Sequence, residues 1–212
     1  MLRYLTIPVT PFAQNCSLLW CDVTHDAVLI DPGGDLPELE QAVQAQGARL
    51  SAIWVTHAHI DHAGGVGELA QRWQLPIVGP QAEDQFWIDA LPQQSQQFGF
   101  APAQAFTPTR WLNDGDTLSL GQHTITVRHC PGHTPGHVVF YAPAIGRAFV
   151  GDVLFAGSIG RTDFPRGDHD TLIRSIIQRL WPMGDETVFI PGHGPESTFG
   201  RERATNPFVG GT

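Results

Sequence analysis

The 212-residue chain contains no lysine. Its 12 basic residues are all arginine, set against 21 Asp and Glu, for a formal net charge of −9. Without lysine there is no Schiff-base chemistry, no P-loop that closes on a lysine ammonium, and no kinase-type phosphate clamp. The acidic balance argues against a general binder of nucleic-acid backbones, because that affinity comes from clustered positive charge. Cysteine is scarce too. Cys16, Cys21 and Cys130 form no Cys-x-x-Cys pair and give no disulfide framework, so buried thiols in a reducing compartment are expected. Long apolar runs are also missing. No stretch approaches the roughly 20 residues of a membrane span. The opening MLRYLTIPVTPFAQNC lacks the continuous apolar segment of a signal peptide. A cytoplasmic protein with no membrane or nucleic-acid partner is the expectation.

What is present suits a soluble globule, with 42% hydrophobic and 16% charged residues. One domain over 1–212 is expected at this length, with no linker or low-complexity run to divide it. Strands are predicted at 17–21 and 27–30 around a turn at 22–26, and at 52–55, 77–78, 124–128, 138–141, 148–150 and 187–190. Helices are predicted at 36–46, 61–74, 82–91 and 172–180 from apolar residues at helical spacing. The polar stretch 92–97, PQQSQQ, reads as a helix end or loop. Strands mixed with helices in both halves suggest sheets covered by helices, an α/β sandwich. A weak internal echo links TVRHCPGH at 126–133 with TVFIPGH at 187–193. Each reads as a strand running into a Pro-Gly turn that ends on histidine.

The ten histidines almost match the arginines in number, and histidine is the commonest metal ligand. Four candidate ligands crowd into VTHAHIDHAGG at 55–65: His57, His59, Asp61 and His62. If the chain stays extended from His57 to His59, the period of two turns both imidazoles to one side. Asp61 and His62 then follow at the start of a helix and diverge from that pair, a geometry suited to two adjacent metals. Further ligands must come from distant strand ends, and His133, Asp152 and His193 each sit behind a glycine that lets the backbone turn close to a metal. Asp152 in a bridging role would complete the set. Two divalent ions about 3.5–4 Å apart share a water and make it a hydroxide nucleophile at neutral pH. The same ions polarise a carbonyl and stabilise its oxyanion. Asp61 could orient that hydroxide and accept its proton.

THAHIDHAGG, PGHTPGH, the Gly151-Asp152 pair and the final Pro-Gly-His193 resemble the metallo-β-lactamase-fold superfamily over nearly the whole chain. The resemblance is strongest to short bacterial glyoxalase II-type hydroxyacylglutathione hydrolases. It implies a four-layer αββα sandwich. It also implies two divalent metal ions, zinc first, with iron or manganese as alternatives. His57, His59 and His133 would take one metal and Asp61, His62 and His193 the other, with Asp152 between them. Asp31 in LIDPG and His137 would support the ligands from behind. The implied reaction is hydrolysis of S-D-lactoylglutathione to D-lactate and glutathione, a step of methylglyoxal detoxification. Arg161 stands where the family carries a glutathione-binding lysine, and Phe164 stands near its tyrosine. Arg161 and Arg166 are therefore the candidates for anionic recognition, although an Arg161 that merely fixes its loop to Asp163 or Asp168 is the competing reading.

Two departures bear on glutathione. Gly194-Pro195 replaces the family tyrosine after the last histidine. The chain also ends soon after Phe208, without the C-terminal helical domain of longer members. A broad-range thioesterase is thus one alternative. A mononuclear-iron persulfide dioxygenase, using His57, His133 and Asp152, is another. A β-lactamase is disfavoured by the paired Asp61 and His62, and a non-catalytic metal protein by Asp61 itself. His25, His123, His129 and His169 lack ligand spacing.

Overall fold

On the central strands of this chain consecutive residues are apolar on both sides, so each strand has two faces to bury. The computed structural model describes residues 1–211. Its strands are β1 (Leu2–Val9), β2 (Gln14–Cys21), β3 (Asp26–Ile30), β4 (Arg49–Trp54), β5 (Ile77–Val78), β6 (Thr117–Leu120), β7 (His123–His129), β8 (Val138–Ala142), β9 (Arg147–Gly151), β10 (Leu154–Phe155), β11 (Ser158–Ile159), β12 (Val188–Pro191) and β13 (Ser197–Thr198). The first five form one sheet in chain order. A second sheet runs β13-β12-β9-β8-β7-β6, and β10 and β11 make a separate hairpin. The helices are α1 (Leu36–Ala45), α2 (Ile60–Ala63), α3 (Val66–Trp73), α4 (Gln85–Asp89), α5 (Leu91–Phe98), α6 (His169–Ser175) and α7 (Phe199–Thr205).

The alternation sorts the core into three seams. Leu19, Val28, Ile30 and Trp54 of the first sheet meet Val127, Val138, Phe140 and Phe149 of the second. Their neighbours Leu18, Leu29 and Ile53 join Leu39, Val43 and Leu69 of α1 and α3 on the outer side. Val139, Val150 and Phe189 join Leu172 and Phe199 of α6 and α7 on the other. The result is the expected αββα sandwich. None of the described helices is long and apolar enough to cross a membrane.

The topology brings strand ends to one edge. β3 and β4 are parallel, as are β9 and β12. β7 and β9 both lie antiparallel to β8 and so point the same way. The sheets are joined at this edge by Val138 N donating to Thr56 O at 2.8 Å and Asn15 N donating to Gly192 O at 2.7 Å.

The predicted strands all overlap observed ones, but three helices differ. The helix expected at 61–74 is broken into α2 and α3 at Gly64 and Gly65. A Cβ on Gly64 would stand 2.7 Å from Gly33 O, and one on Gly65 2.6 Å from Pro32 O. The loop after β3 therefore packs directly on the break. The helix expected at 82–91 is a 3₁₀ turn at Ala82–Asp84 followed by α4. The polar 92–97 stretch belongs to α5, whose Gln94 and Ser95 are buried. The helix expected at 172–180 is α6 followed by a π-turn at Ile176–Leu180. β1 was unforeseen. It is an edge strand with one half-open face, where Pro8 is tolerated because no further strand needs its missing N–H.

Candidate metal centre

β4 ends at Trp54, and after a bend at Thr56 the chain reaches His59, whose extended φ of −72° and ψ of 153° precede the first turn of α2. His57 and His59 consequently face one space, with ring centroids 4.8 Å apart. Asp61 and His62 follow in α2 and are buried. His133 arrives from the loop after β7, Asp152 from the end of β9, and His193 from the end of β12. The donor atoms of His57, His59 and His133 lie within 4.8 Å of one another, and so do those of Asp61, His62 and His193.

Asp152 touches both triads. Its Oδ1 is 3.3 Å from His62 Nε2, and its Oδ2 is 3.6 Å from His133 Nε2 and 3.7 Å from His193 Nε2. Asp61 Oδ2 lies 3.0 Å from His193 Nε2. Asp31, His57 and His62 are a third close group, but Asp31 is already occupied. It accepts from Thr56 N at 2.7 Å, Thr56 Oγ1 at 2.6 Å and His62 Nδ1 at 2.9 Å. Asp31 thus sits behind His57 and His62, its oxygens taken up by Thr56 and His62.

On four of the five imidazoles the outer nitrogen has a partner that sets its tautomer; at His59 the inner nitrogen is Nδ1, 3.0 Å from His133 Nε2. His62 Nδ1 donates to Asp31, His133 Nδ1 to Arg161 O at 2.7 Å, and His193 Nδ1 to Phe12 O at 3.2 Å. His57 Nδ1 meets Thr56 Oγ1 at 3.0 Å. The Nε2 atoms of His57, His62, His133 and His193 are thereby left facing inward, where a bound cation would take their lone pairs in place of protons. Nε2 of His57, His59 and His62 and Oδ1 of Asp152 are buried without a hydrogen-bond partner among the described residues. Each such group costs about 1–3 kcal/mol. Cations held between the triads would satisfy those of His57, His62 and Asp152, and the imidazole and carboxylate donors fit zinc, iron or manganese.

Electrostatics agree with this geometry. Burial first, then crowding by other imidazoles, holds His57 and His59 well below the ordinary histidine range. Burial also lowers His133 against the pull of Asp152. At His62 burial acts the same way, but Asp152 and Asp61 outweigh it and raise the pKa well above that range. His193 is raised, its burial outweighed by Asp61 and Asp152. Asp152 lies far below the carboxylate range despite burial, chiefly through His62. A cation entering the site would displace the protons that the carboxylates now attract.

His137 stands behind His57, its ring stacked at 4.6 Å, and its Nε2 accepts from Asp152 N at 3.1 Å. It braces two candidate ligands without joining them. Sequence reasoning missed two other braces. Asp84 is fully buried and accepts from Ala58 N at 3.2 Å, Thr134 Oγ1 at 2.9 Å and Gly136 N at 2.6 Å. Gln94 accepts from Ile60 N at 3.0 Å. An acidic residue in a helix start and a glutamine in a polar run gave no local signal of either task.

A cleft of about 610 Å³ opens over the triads. Phe164 lines it, 4.8 Å from the His59 ring. Arg161 lines it as well, but pairs bidentately with Asp163 at 2.6 Å through both Nε and Nη2. Arg166 does not line it, being held to Glu83 and over the Phe86 ring. Trp87, Phe12, Phe98 and Phe155 line the cleft and were not anticipated. Trp87 was the hardest to foresee, since a tryptophan in a helix reads as core. The remaining histidines stay away from the centre: His25 and His169 are exposed, and His123 and His129 are half-buried. All three cysteines are buried and unpaired.

Comparison with known proteins gives the family and the fold. Residues 9–193 match the metallo-beta-lactamase superfamily. The sequence is 46% identical to hydroxyacylglutathione hydrolase GloC of Haemophilus influenzae, over 96% of each chain. The fold is similar to the crystal structure of the B3 metallo-beta-lactamase BLEG-1, with a TM-score of 0.89 and 36% identity, covering 99% of this chain and 100% of that one. It is also similar to TTHA1623 in a di-iron-bound form, with a TM-score of 0.87 and 37% identity, covering 96% and 99%.

Proposed function

This chain belongs to the metallo-beta-lactamase superfamily, and from that premise we propose that it is a dinuclear metal-dependent thioester hydrolase. Its substrates on this reading include S-D-lactoylglutathione, cleaved to D-lactate and glutathione in the cytoplasm during methylglyoxal detoxification. The observation that carries the reading is the pair of donor triads sharing Asp152. The likeness to a hydroxyacylglutathione hydrolase supports the choice of substrate.

His57, His59 and His133 would hold one ion and Asp61, His62 and His193 the other, with Asp152 reaching both. Zinc is the first choice, and the di-iron form of TTHA1623 keeps iron beside it. When bound, the ions supply a water of lowered pKa and a Lewis acid for the substrate carbonyl. Asp61 faces the cleft and is placed to orient the water and take its proton. The water oxygen bonds to the carbonyl carbon, the C–S bond breaks, and its electron pair leaves on sulfur. A thiolate needs little help from a proton donor, which fits a cleft with no further general acid beside Asp61 and the histidines.

A mononuclear-iron dioxygenase built on His57, His133 and Asp152 would leave the convergence of Asp61, His62 and His193 without a use. The likeness to BLEG-1 puts a β-lactam among the compounds to assay. The test is metal analysis of purified protein alongside loss of thioester absorbance. Two ions per chain with turnover of S-D-lactoylglutathione are expected, with turnover lost in Asp61→Ala. Two ions with no thioester turnover, or oxygen uptake with glutathione persulfide in its place, would overturn the reading. Faster hydrolysis of a β-lactam than of the thioester would replace it.

A further inference from the structure

The wall of the cleft is aromatic and carries almost no free charge. Phe12, Trp87, Phe98, Phe155, Ile159 and Phe164 supply it. Phe12 and Phe98 are 46% and 40% exposed, although such rings usually seek burial. They meet edge to face with centroids 6.2 Å apart and form a rim. Arg161 is the single cationic side chain among the lining residues other than histidine. Asp163 neutralises it through two parallel hydrogen bonds, and the guanidinium lies over the Phe164 ring at 4.3 Å. A substrate carboxylate reaching Arg161 would exchange one carboxylate partner for another, with little net gain. Arg166, the other arginine of this loop, is held by the carboxylate and the backbone carbonyl of Glu83.

Resting on the thioester-hydrolase reading, we propose that this cleft selects its substrate by apolar bulk and not by charge. The substrates it prefers are thioesters of bulky, aromatic acyl groups, and the carboxylates of glutathione contribute little to their binding. Asp163 is the specificity-determining residue, because it keeps Arg161 from reading those carboxylates.

The test uses metal-loaded protein and four thioesters: lactoyl and mandeloyl groups, each carried on glutathione and on uncharged N-acetylcysteamine. The phenyl of mandelate replaces the methyl of lactate. In the wild type, kcat/KM rises about tenfold or more from lactoyl to mandeloyl, the scale of discrimination an apolar pocket provides. Exchange of glutathione for N-acetylcysteamine changes it by less than about threefold. A cleft that read the carboxylates through Arg161 would lose about 10- to 100-fold in that exchange, the worth of hydrogen bonds to a charged group. In Asp163→Asn, KM falls several-fold for the glutathione thioesters and stays unchanged for the others. A large loss on N-acetylcysteamine, a preference for lactoyl, or an unaltered KM in Asp163→Asn would each overturn the proposal and leave thioester hydrolysis standing. Failure to turn over any of the four would overturn the hydrolase reading as well.

Discussion

Asp84 shows how a residue without ligand chemistry can govern a metal centre. Its carboxylate ties Ala58, between His57 and His59, to Thr134 and Gly136 beside His133. Burial pushes its pKa up to about 6, against the three donors that favour the charged form. The shift has a sign that can be checked. An unfolded aspartate titrates near about 4, so between there and about 6 the folded protein binds the extra proton and stability falls as pH rises. In Asp84→Asn that contribution is lost, so stability is expected to rise more steeply with pH than in the wild type, as read by urea unfolding of both metal-free proteins from pH 4 to 7. The amide also offers N–H to neighbours that are themselves N–H donors. Metal affinity should therefore drop about 10- to 100-fold, measured by competition with a chelating dye. Unchanged affinity would make Asp84 a packing residue only. At this scale the local HxHxDH spacing was legible because its ligands are sequence neighbours. Asp84, Gln94 and Trp87 were not, because their roles depend on partners far along the chain.

At the scale of elements, turns set ligand positions through close approach. Gly192 ends β12 just before His193, and a Cβ there would stand 2.1 Å from Asp152 Oδ1 and 2.6 Å from His62 Cε1. Gly192→Ala is expected to fold but to displace Asp152, so that metal content falls to one ion per chain or less. Gly47, with φ +58° and open space around it, is the control. Gly47→Ala should lose about 1 kcal/mol of stability with metal content unchanged. Metal analysis and thermal melts read both, and retention of two ions in Gly192→Ala would contradict the argument. The strands were found from their apolar runs, but strands buried on both faces look alike in sequence. Their order, and the break at Gly64 and Gly65, rest on contacts with Gly33 and Pro32 that no local pattern records.

The whole molecule meets at the metal centre, since ligands come from strand ends of both sheets. Ions bound there would stabilise the folded state alone. Stripping them with a chelator is expected to lower Tm by roughly 5–10 °C, recovered on adding metal back. No shift would mean that the triads hold no metal tightly. The family resemblance implied the four-layer αββα order, while the chain itself carried the inventory of chemistry: arginine without lysine, scarce thiols, strands mixed with helices in both halves, and a tight His/Asp cluster with three more ligand types behind glycines. Residue types and near-neighbour spacing are enough for that, because they act within a few residues of the chain. The tertiary structure sets the distances behind the grouping that the resemblance implied: His133 with His57 and His59, His193 with Asp61, and Asp152 facing both triads. It also decided that Arg161 is neutralised and that Arg166 lies outside the cleft. Those outcomes depend on which strands run parallel and on where loops from different sheets come to rest. Such distances are set by the packed core rather than by separation along the chain.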